Sequence, residues 1–200
     1  MSEAEAIFPV PARFDLLPIL AVLASTDPVF LICDTTGPDP VRDGVYFIEA
    51  WAFPDDEGPT AILPPTWLMP FRDLTPGSPL SKKLSDLGLK GEKLDQLPLC
   101  ADVLPDLLLQ LEARPVILAE NQDEFLRRFR QHCPTAVEPV ALDLCNLASF
   151  VHPQRGEKNA EALHSRYTGK IAPTPWRAAQ TRALTESLVR AHFDREENVR

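Results

Sequence analysis

The amino-acid sequence predicts a mixed α/β domain, because two strand-like segments come first and strands alternate with helices after them. Residues 28–34, PVFLICD, form an apolar run that ends at a turn, which is typical of a central strand buried on both faces. Residues 44–53, GVYFIEAWAF, are aromatic and β-branched and come after a short polar turn, which predicts a second, antiparallel strand. The core is therefore expected to be a sheet with an antiparallel start.

Proline shapes the next segment. The chain has 21 prolines, about double the average usage, and many lie between residues 53 and 79. Because proline lacks a backbone N–H and breaks helices, this segment is predicted to form loops and edge strands. Residues 60–63, TAIL, are the predicted third strand.

The second half of the sequence alternates between helical spacing of leucines and short apolar runs of strand type. The predicted elements are a helix at 100–113, a strand at 114–120, a helix at 121–133 that Asn121 caps, a strand at 138–144, short helices at 145–151 and 159–167, and a final helix at 174–193. In the final helix Thr174 is the predicted cap and Pro175 the first helical residue.

Composition restricts the class of function. The 200 residues suffice for one domain with a substantial core. A formal net charge of -9 does not predict the basic face typical of nucleic-acid binders, so any such contact would be local or supplied by a partner. The absence of a long apolar run and of a secretory signal predicts a cytoplasmic protein without membrane contact. The four cysteines lack zinc-site spacing and are predicted to be buried thiols.

Six segments, taken in order, carry a resemblance to a known family. They are TTGPDP at 35–40, LSDLGLKGEKLDQLPLCADVLPDLLLQL at 84–111, VILAEN at 116–121, VALDLCNLAS at 140–149, SRYTG at 165–169 and WRAAQTRAL at 176–184. Together they resemble the motifs of the DEDDh-type 3′–5′ exonucleases, the superfamily of the proofreading epsilon subunit of bacterial replicative polymerase. The resemblance implies a ribonuclease H-like fold, with antiparallel first strands, parallel later strands and helices on both faces of the sheet. It divides the chain into an N-terminal helical extension at 1–27, an exonuclease-like domain at 28–193 and a charged tail or linker at 194–200.

The resemblance also implies where the chemistry would lie. The family hydrolyses a terminal phosphodiester with two magnesium or manganese ions held by carboxylates, and a histidine acts as general base. In the first motif, the family's Asp falls on Ile32 and its Glu falls on Asp34. The second-motif acid falls on Leu126, and the third acid falls on Asp143. In the last motif, the His falls on Trp176 and the final Asp falls on Thr181. In an alternative register Asp34 is the first acid and Thr36 takes the Glu position. Either way, a carboxylate is missing from the first motif.

These departures predict a catalytically inactive domain, without cofactor or metal, that is kept as a binding or scaffolding module. Its predicted setting is the N-terminal part of a larger DNA-processing protein such as a helicase, where it contacts other domains or a protein partner. Asp34 and Asp143 are predicted to cap turns, and a single weakly bound magnesium there is left open. Trp176 is predicted to plug the vacated site or to pack on the core.

Two alternatives remain open from the sequence. One is an active 3′–5′ exonuclease with a rearranged site, in which magnesium or manganese is held by Asp34, Glu120, Asp123 or Glu124, and Asp143. The other is an unrelated α/β interaction domain whose motif matches are coincidental.

Two further groups of side chains are candidates for binding a partner. The basic cluster on the helix after Asn121 consists of Arg127, Arg128 and Arg130. Trp67 and Phe71 are aromatics in the proline-rich segment PPTWLMPF, which predicts either a docking site or a cover for a sheet edge. Nucleic acid is the weaker of the partners predicted for the arginines.

Overall fold

The computed structural model describes residues 28–39, 42–54, 58–71, 75–151, 159–173 and 176–197. Within this part of the chain, five strands form one mixed sheet in the order β3-β2-β1-β4-β5. The strands are β1 (Val29–Thr35), β2 (Val45–Ala52), β3 (Thr60–Trp67), β4 (Pro115–Leu118) and β5 (Val140–Asp143). The pairs β1–β2 and β2–β3 are antiparallel, whereas β1–β4 and β4–β5 are parallel. The predicted α/β class is confirmed, with antiparallel strands first and parallel strands later.

The helices surround this sheet. They are α1 (Pro79–Asp86), α2 (Glu92–Asp95), α3 (Cys100–Leu109), α4 (Gln122–His132), α5 (Leu144–Val151), α6 (Ala160–Thr168) and α7 (Ala178–Glu197). The first two were not predicted as helices. The backbone of α7 continues to Glu197, beyond the predicted start of the tail at residue 194. The predicted extension at 1–27 lies outside the described residues.

Two predicted helix starts are corrected. Asn121 precedes α4, but it adopts a left-handed conformation with φ 64° and its side chain makes no capping hydrogen bond. The final helix begins at Ala178, four residues after the predicted cap, and Thr174 and Pro175 lie outside the described residues. Asn159 does cap α6, because its side chain accepts the Ala162 N–H at 2.8 Å.

Alternation along β1 produces a core on each face of the sheet, since successive strand residues point to opposite sides. Phe30 and Ile32 pack with residues of α5, α6 and α7, whereas Val29 and Leu31 pack with residues of α3 and α4. All four side chains are buried, as the apolar run predicts. Helices therefore cover both faces, and the carboxyl end of β1 emerges between them.

The proline-rich segment ends the sheet on one side. Pro64 and Pro65 lie within β3, which is an edge strand, so the prediction of an edge position is confirmed. The register with β2 is irregular at this point, as expected where a strand lacks consecutive N–H donors. Among the helices described, none has the length and apolar character that crossing a membrane would require.

Candidate functional site

The site implied by the resemblance lies where β1, β4 and β5 end. Asp143 on β5 pairs with Leu118 on β4, and Leu118 pairs with Leu31 on β1. Asp34 therefore lies three residues further along its strand and two strands away, which separates the two Cα atoms by roughly 14 Å. This distance is too long for two short aspartate side chains to reach one ion, whose oxygen ligands lie about 2.1–2.6 Å from it.

The Asp143 carboxylate accepts hydrogen bonds from the N-terminal ends of two helices. Its Oδ1 accepts the Asn146 N–H of α5 at 2.7 Å, and its Oδ2 accepts the Gln122 N–H at the start of α4 at 3.2 Å. The side chain is buried, with 7% exposed. Burial raises the pKa of Asp143, and the hydrogen bonds from the backbone oppose this shift without overcoming it. The carboxylate acts as a helix cap, as the turn-capping prediction for Asp143 requires.

Glu120 and Glu124 are also tied to other parts of the fold. Glu120 accepts the Ala160 N–H at 2.6 Å, at the first residue of α6. Glu124 accepts the Thr35 hydroxyl at 2.8 Å and pairs with the Arg128 guanidinium at 3.0 Å. Three acids of the rearranged site, namely Glu120, Glu124 and Asp143, therefore already bond to other elements of the fold.

Ile32 and Asp34 lie on the same face of β1 but in different surroundings. Ile32 is 5% exposed and packs in the core beneath α7. Asp34 is exposed, and within the described part of the chain it has no hydrogen-bonding partner. Partial loss of water raises its pKa, while the cations of Lys83 and Arg177 lower it by a smaller amount. Among the described residues, Asp34 therefore shows none of the turn-capping hydrogen bonds predicted for it.

A buried acid that the sequence analysis missed lies beside Ile32. Glu49 of β2 is its register partner and is only 3% exposed. The Ala178 N–H at the start of α7 donates to Glu49 Oε1 at 3.0 Å, and Arg177 lies 3.7 Å from the other oxygen. The signal available in the sequence was a single acid within an otherwise apolar strand, which must be paired when buried.

The two positions implied for the base and the last acid contact each other. The Trp176 indole Nε1–H donates to the Thr181 hydroxyl at 2.9 Å. Thr181 is fully buried, and the Trp176 ring meets the His164 ring edge-on with the centroids 5.5 Å apart. Trp176 packs against the core beneath α7, as predicted, and it also forms one wall of a cavity.

This cavity has a volume of about 200 Å³ and opens at the carboxyl ends of β1 and β4. Its lining includes the apolar residues Ile32, Leu118 and Ala119. Three acids also line it, namely Asp34, Glu120 and Glu161. Among the described residues, no three His, Cys, Asp or Glu side chains are grouped as a metal site would require.

The basic cluster predicted on α4 is divided by the fold. Arg128 is 2% exposed and donates to the carbonyl oxygens of Asp43 at 2.6 Å and Gly37 at 2.7 Å. It therefore fastens the β1–β2 connection to α4 and is inaccessible to a partner. Arg127 is exposed and donates to the Asp123 carbonyl, while Arg130 is exposed and pairs with Glu138 at 2.8 Å.

The other partner-binding candidates are half-buried. The Trp67 ring lies against the Phe47 ring with a centroid separation of 4.6 Å, and Trp67 packs on the core beneath α7. Phe71 is also half-buried. Trp67 is itself a residue of the edge strand β3 and packs on the face of the sheet, so docking and covering of the edge both stay predictions for this segment.

No family model matches the chain, and no curated protein matches it.

Proposed function

We propose that this chain is a catalytically inactive exonuclease-like domain of ribonuclease H-like fold that serves as a binding or scaffolding module. The order of antiparallel strands followed by parallel strands supports this hypothesis, and so does the order of the motif-like segments. By the same resemblance we propose that it works within a larger DNA-processing polypeptide such as a helicase.

The observation that carries the proposal is the use of the carboxylates at the strand ends. Asp143 accepts N–H groups at the starts of α4 and α5, and Glu120 accepts one at the start of α6. A two-metal site needs such carboxylates to converge on the ions instead. Taking these oxygens for a metal would leave helix N–H groups unpaired, at a cost of about 1–3 kcal/mol each.

The remaining positions support the same conclusion. Ile32 offers no ligand atom and is packed in the core. Trp176 and Thr181 are hydrogen-bonded to each other at 2.9 Å. Neither side chain can act as a general base or supply a carboxylate.

The test is a nuclease assay on the full chain, with end-labelled single- and double-stranded DNA and magnesium or manganese. We expect no release of nucleotides above that seen without protein. Metal-dependent release that Asp143→Asn abolishes, and that a neutralised exposed acid such as Glu92→Gln preserves, would instead establish the active, rearranged site. Glu92 is a suitable control because it lies on α2, and no residue of α2 lines the cavity.

A further inference from the structure

The cavity at the ends of β1 and β4 combines two kinds of lining. Ile32, Leu118 and Ala119 contribute apolar surface, and Trp176 adds an aromatic wall. The polar lining is dominated by carboxylates, and no lysine, arginine or histidine is among the described residues that line it. Such a lining is complementary to a cation carried on an apolar stem.

The carboxylates of the cavity are only partly used by the fold. One carboxylate oxygen of Glu120 accepts the Ala160 N–H. Asp34 and Glu161 are exposed, and neither has a hydrogen bond or ion pair with another described residue. They therefore retain acceptor oxygens for a ligand.

The two cations that lower the pKa of Asp34 each have another contact. The Lys83 ammonium lies 4.7 Å from the centre of the Tyr46 ring. The Arg177 guanidinium lies 4.8 Å from the centre of the Phe47 ring and 3.7 Å from Glu49. Both lower the pKa of Asp34, but neither is among the described residues that line the cavity.

Size and charge together restrict the ligand. A volume of about 200 Å³ lies below the roughly 300 Å³ at which sites for drug-sized ligands begin. An acidic lining repels phosphates, and the net charge of -9 adds to this repulsion at long range. A nucleotide is therefore disfavoured on both grounds.

We propose that this cavity binds an aliphatic ammonium or guanidinium group, supplied by a lysine or arginine side chain of a protein partner. The alkyl stem contacts Ile32 and Ala119, the cation pairs with the carboxylates of Asp34 and Glu161, and the Trp176 ring provides a cation–π wall. The inference rests on the proposed role as a binding module and names the chemistry that the module recognises.

The experiment uses the full chain labelled with 5-fluorotryptophan and observed by fluorine NMR. The chain has three tryptophans, and Trp176→Phe assigns the signal that reports on the cavity. The probe is a lysine blocked at both ends, and its neutral analogue is norleucine blocked in the same way. We expect a saturable shift of the Trp176 signal with blocked lysine, with a Kd in about the millimolar range, and at least tenfold weaker binding of blocked norleucine.

Variants identify the groups that bind. Asp34→Asn combined with Glu161→Gln is expected to weaken lysine binding about tenfold at low salt. The matched control Glu92→Gln, in the exposed first turn of α2, is expected to leave binding unchanged. Equal binding of the neutral analogue, or an unaltered Kd in the double variant, would overturn the proposal.

Two further ligands separate the sources of the cation. Blocked arginine or a lysine-bearing peptide that binds more tightly than spermidine supports a partner's side chain, whereas tighter binding of spermidine supports a free polyamine and overturns that assignment. A Trp176 shift with a nucleoside monophosphate but not with blocked lysine overturns the proposal altogether. A nuclease assay on the same sample separates the two hypotheses. If the protein releases no nucleotides and does not bind the amines, only this inference is refuted. If the protein is an active nuclease, the proposed function is refuted.

Discussion

The carboxyl ends of β5 and β1 each carry an aspartate, but the fold uses the two side chains differently. Asp143 is buried and accepts two backbone N–H groups at the starts of α4 and α5. Asp34 is exposed and has no hydrogen-bonding partner among the residues that the structure describes. An aspartate at a strand end is thus either a structural cap or an available charge, depending on its surroundings.

The difference originates in the segment that comes directly after each strand. Helix α5 begins at Leu144, immediately after β5, so its free N–H groups face the Asp143 carboxylate. The connection after β1 provides its own acceptors, because Asp43 accepts the Asp39 N–H at 2.9 Å and the Thr36 hydroxyl accepts the Gly44 N–H at 3.1 Å. These two N–H groups of the turn are therefore not available to Asp34.

The largest expected effect is on stability. Asp143→Ala removes an acceptor from two helix starts and should lower the free energy of unfolding by about 2–4 kcal/mol. Asp34→Ala should change it by no more than about 0.5 kcal/mol, as is usual for an exposed side chain. Urea unfolding of both variants provides the measurement, and similar losses in the two would remove the distinction between these strand ends.

A smaller loss is expected at Glu120. Glu120→Ala leaves the Ala160 N–H without its 2.6 Å acceptor, which should cost about 1–2 kcal/mol in urea unfolding. Glu161, exposed in the first turn of the same helix, is the matched control. Glu161→Ala should cost only a few tenths of a kcal/mol through the helix dipole, and equal effects at the two positions would show that Glu120 has no capping role.

The pH dependence sharpens the description of Asp143. Because burial raises its pKa above the ordinary value of 3.8, the folded chain takes up this proton before the unfolded chain as the pH falls. The free energy of unfolding, relative to that of Asp143→Asn, should therefore increase as the pH is lowered from neutral toward about 4. Carbon-detected NMR of the carboxyl group measures the pKa directly, and a midpoint below 3.8 would mean that the amide hydrogen bonds outweigh burial.

A last prediction, on chemical reactivity instead of stability, concerns two thiols beside these aspartates. Burial raises the pKa of Cys33 to about 12 and that of Cys145 to about 12. Since the thiolate is the reactive form, iodoacetamide at about pH 8 should alkylate both much more slowly in the folded chain than after unfolding in urea. Mass spectrometry of the two peptides provides the rates. Rapid labelling of Cys33 alone would indicate that the end of β1 opens more readily than that of β5.

The sequence predicted those parts of the fold that depend on local pattern. The apolar run of β1, the aromatic β2 and the first half of the edge strand β3 were identified, because side-chain periodicity and proline chemistry act within a few residues. The short helices α1 and α2 were missed: α1 begins at the last residue of a segment where proline argued against helix, and α2 has only four residues.

The parts that the sequence did not predict depend on contacts between distant residues. The start of α7 is fixed by Glu49, which lies 129 positions before Ala178. Arg128 was interpreted as part of a surface cluster because its acceptors, the carbonyls of Asp43 and Gly37, lie 85 and 91 positions away. For the same reason, the cap of α6 by Glu120 and that of α4 by Asp143, 40 and 21 positions from their partners, could not be distinguished from metal binding by spacing. The cap of α5 by Asp143 spans only three positions, and the sequence did predict a capping role for this residue.

The most direct test of the central claim is a manganese titration of the isotope-labelled full chain, because Mn²⁺ broadens NMR signals close to where it binds. If the strand-end carboxylates hold helices, the amides of Gln122, Asn146 and Ala160 should keep their chemical shifts and show no saturable broadening. Saturable binding of two ions between Asp34 and Asp143, with release of the Gln122 and Asn146 amides and trimming of DNA ends, would contradict the account.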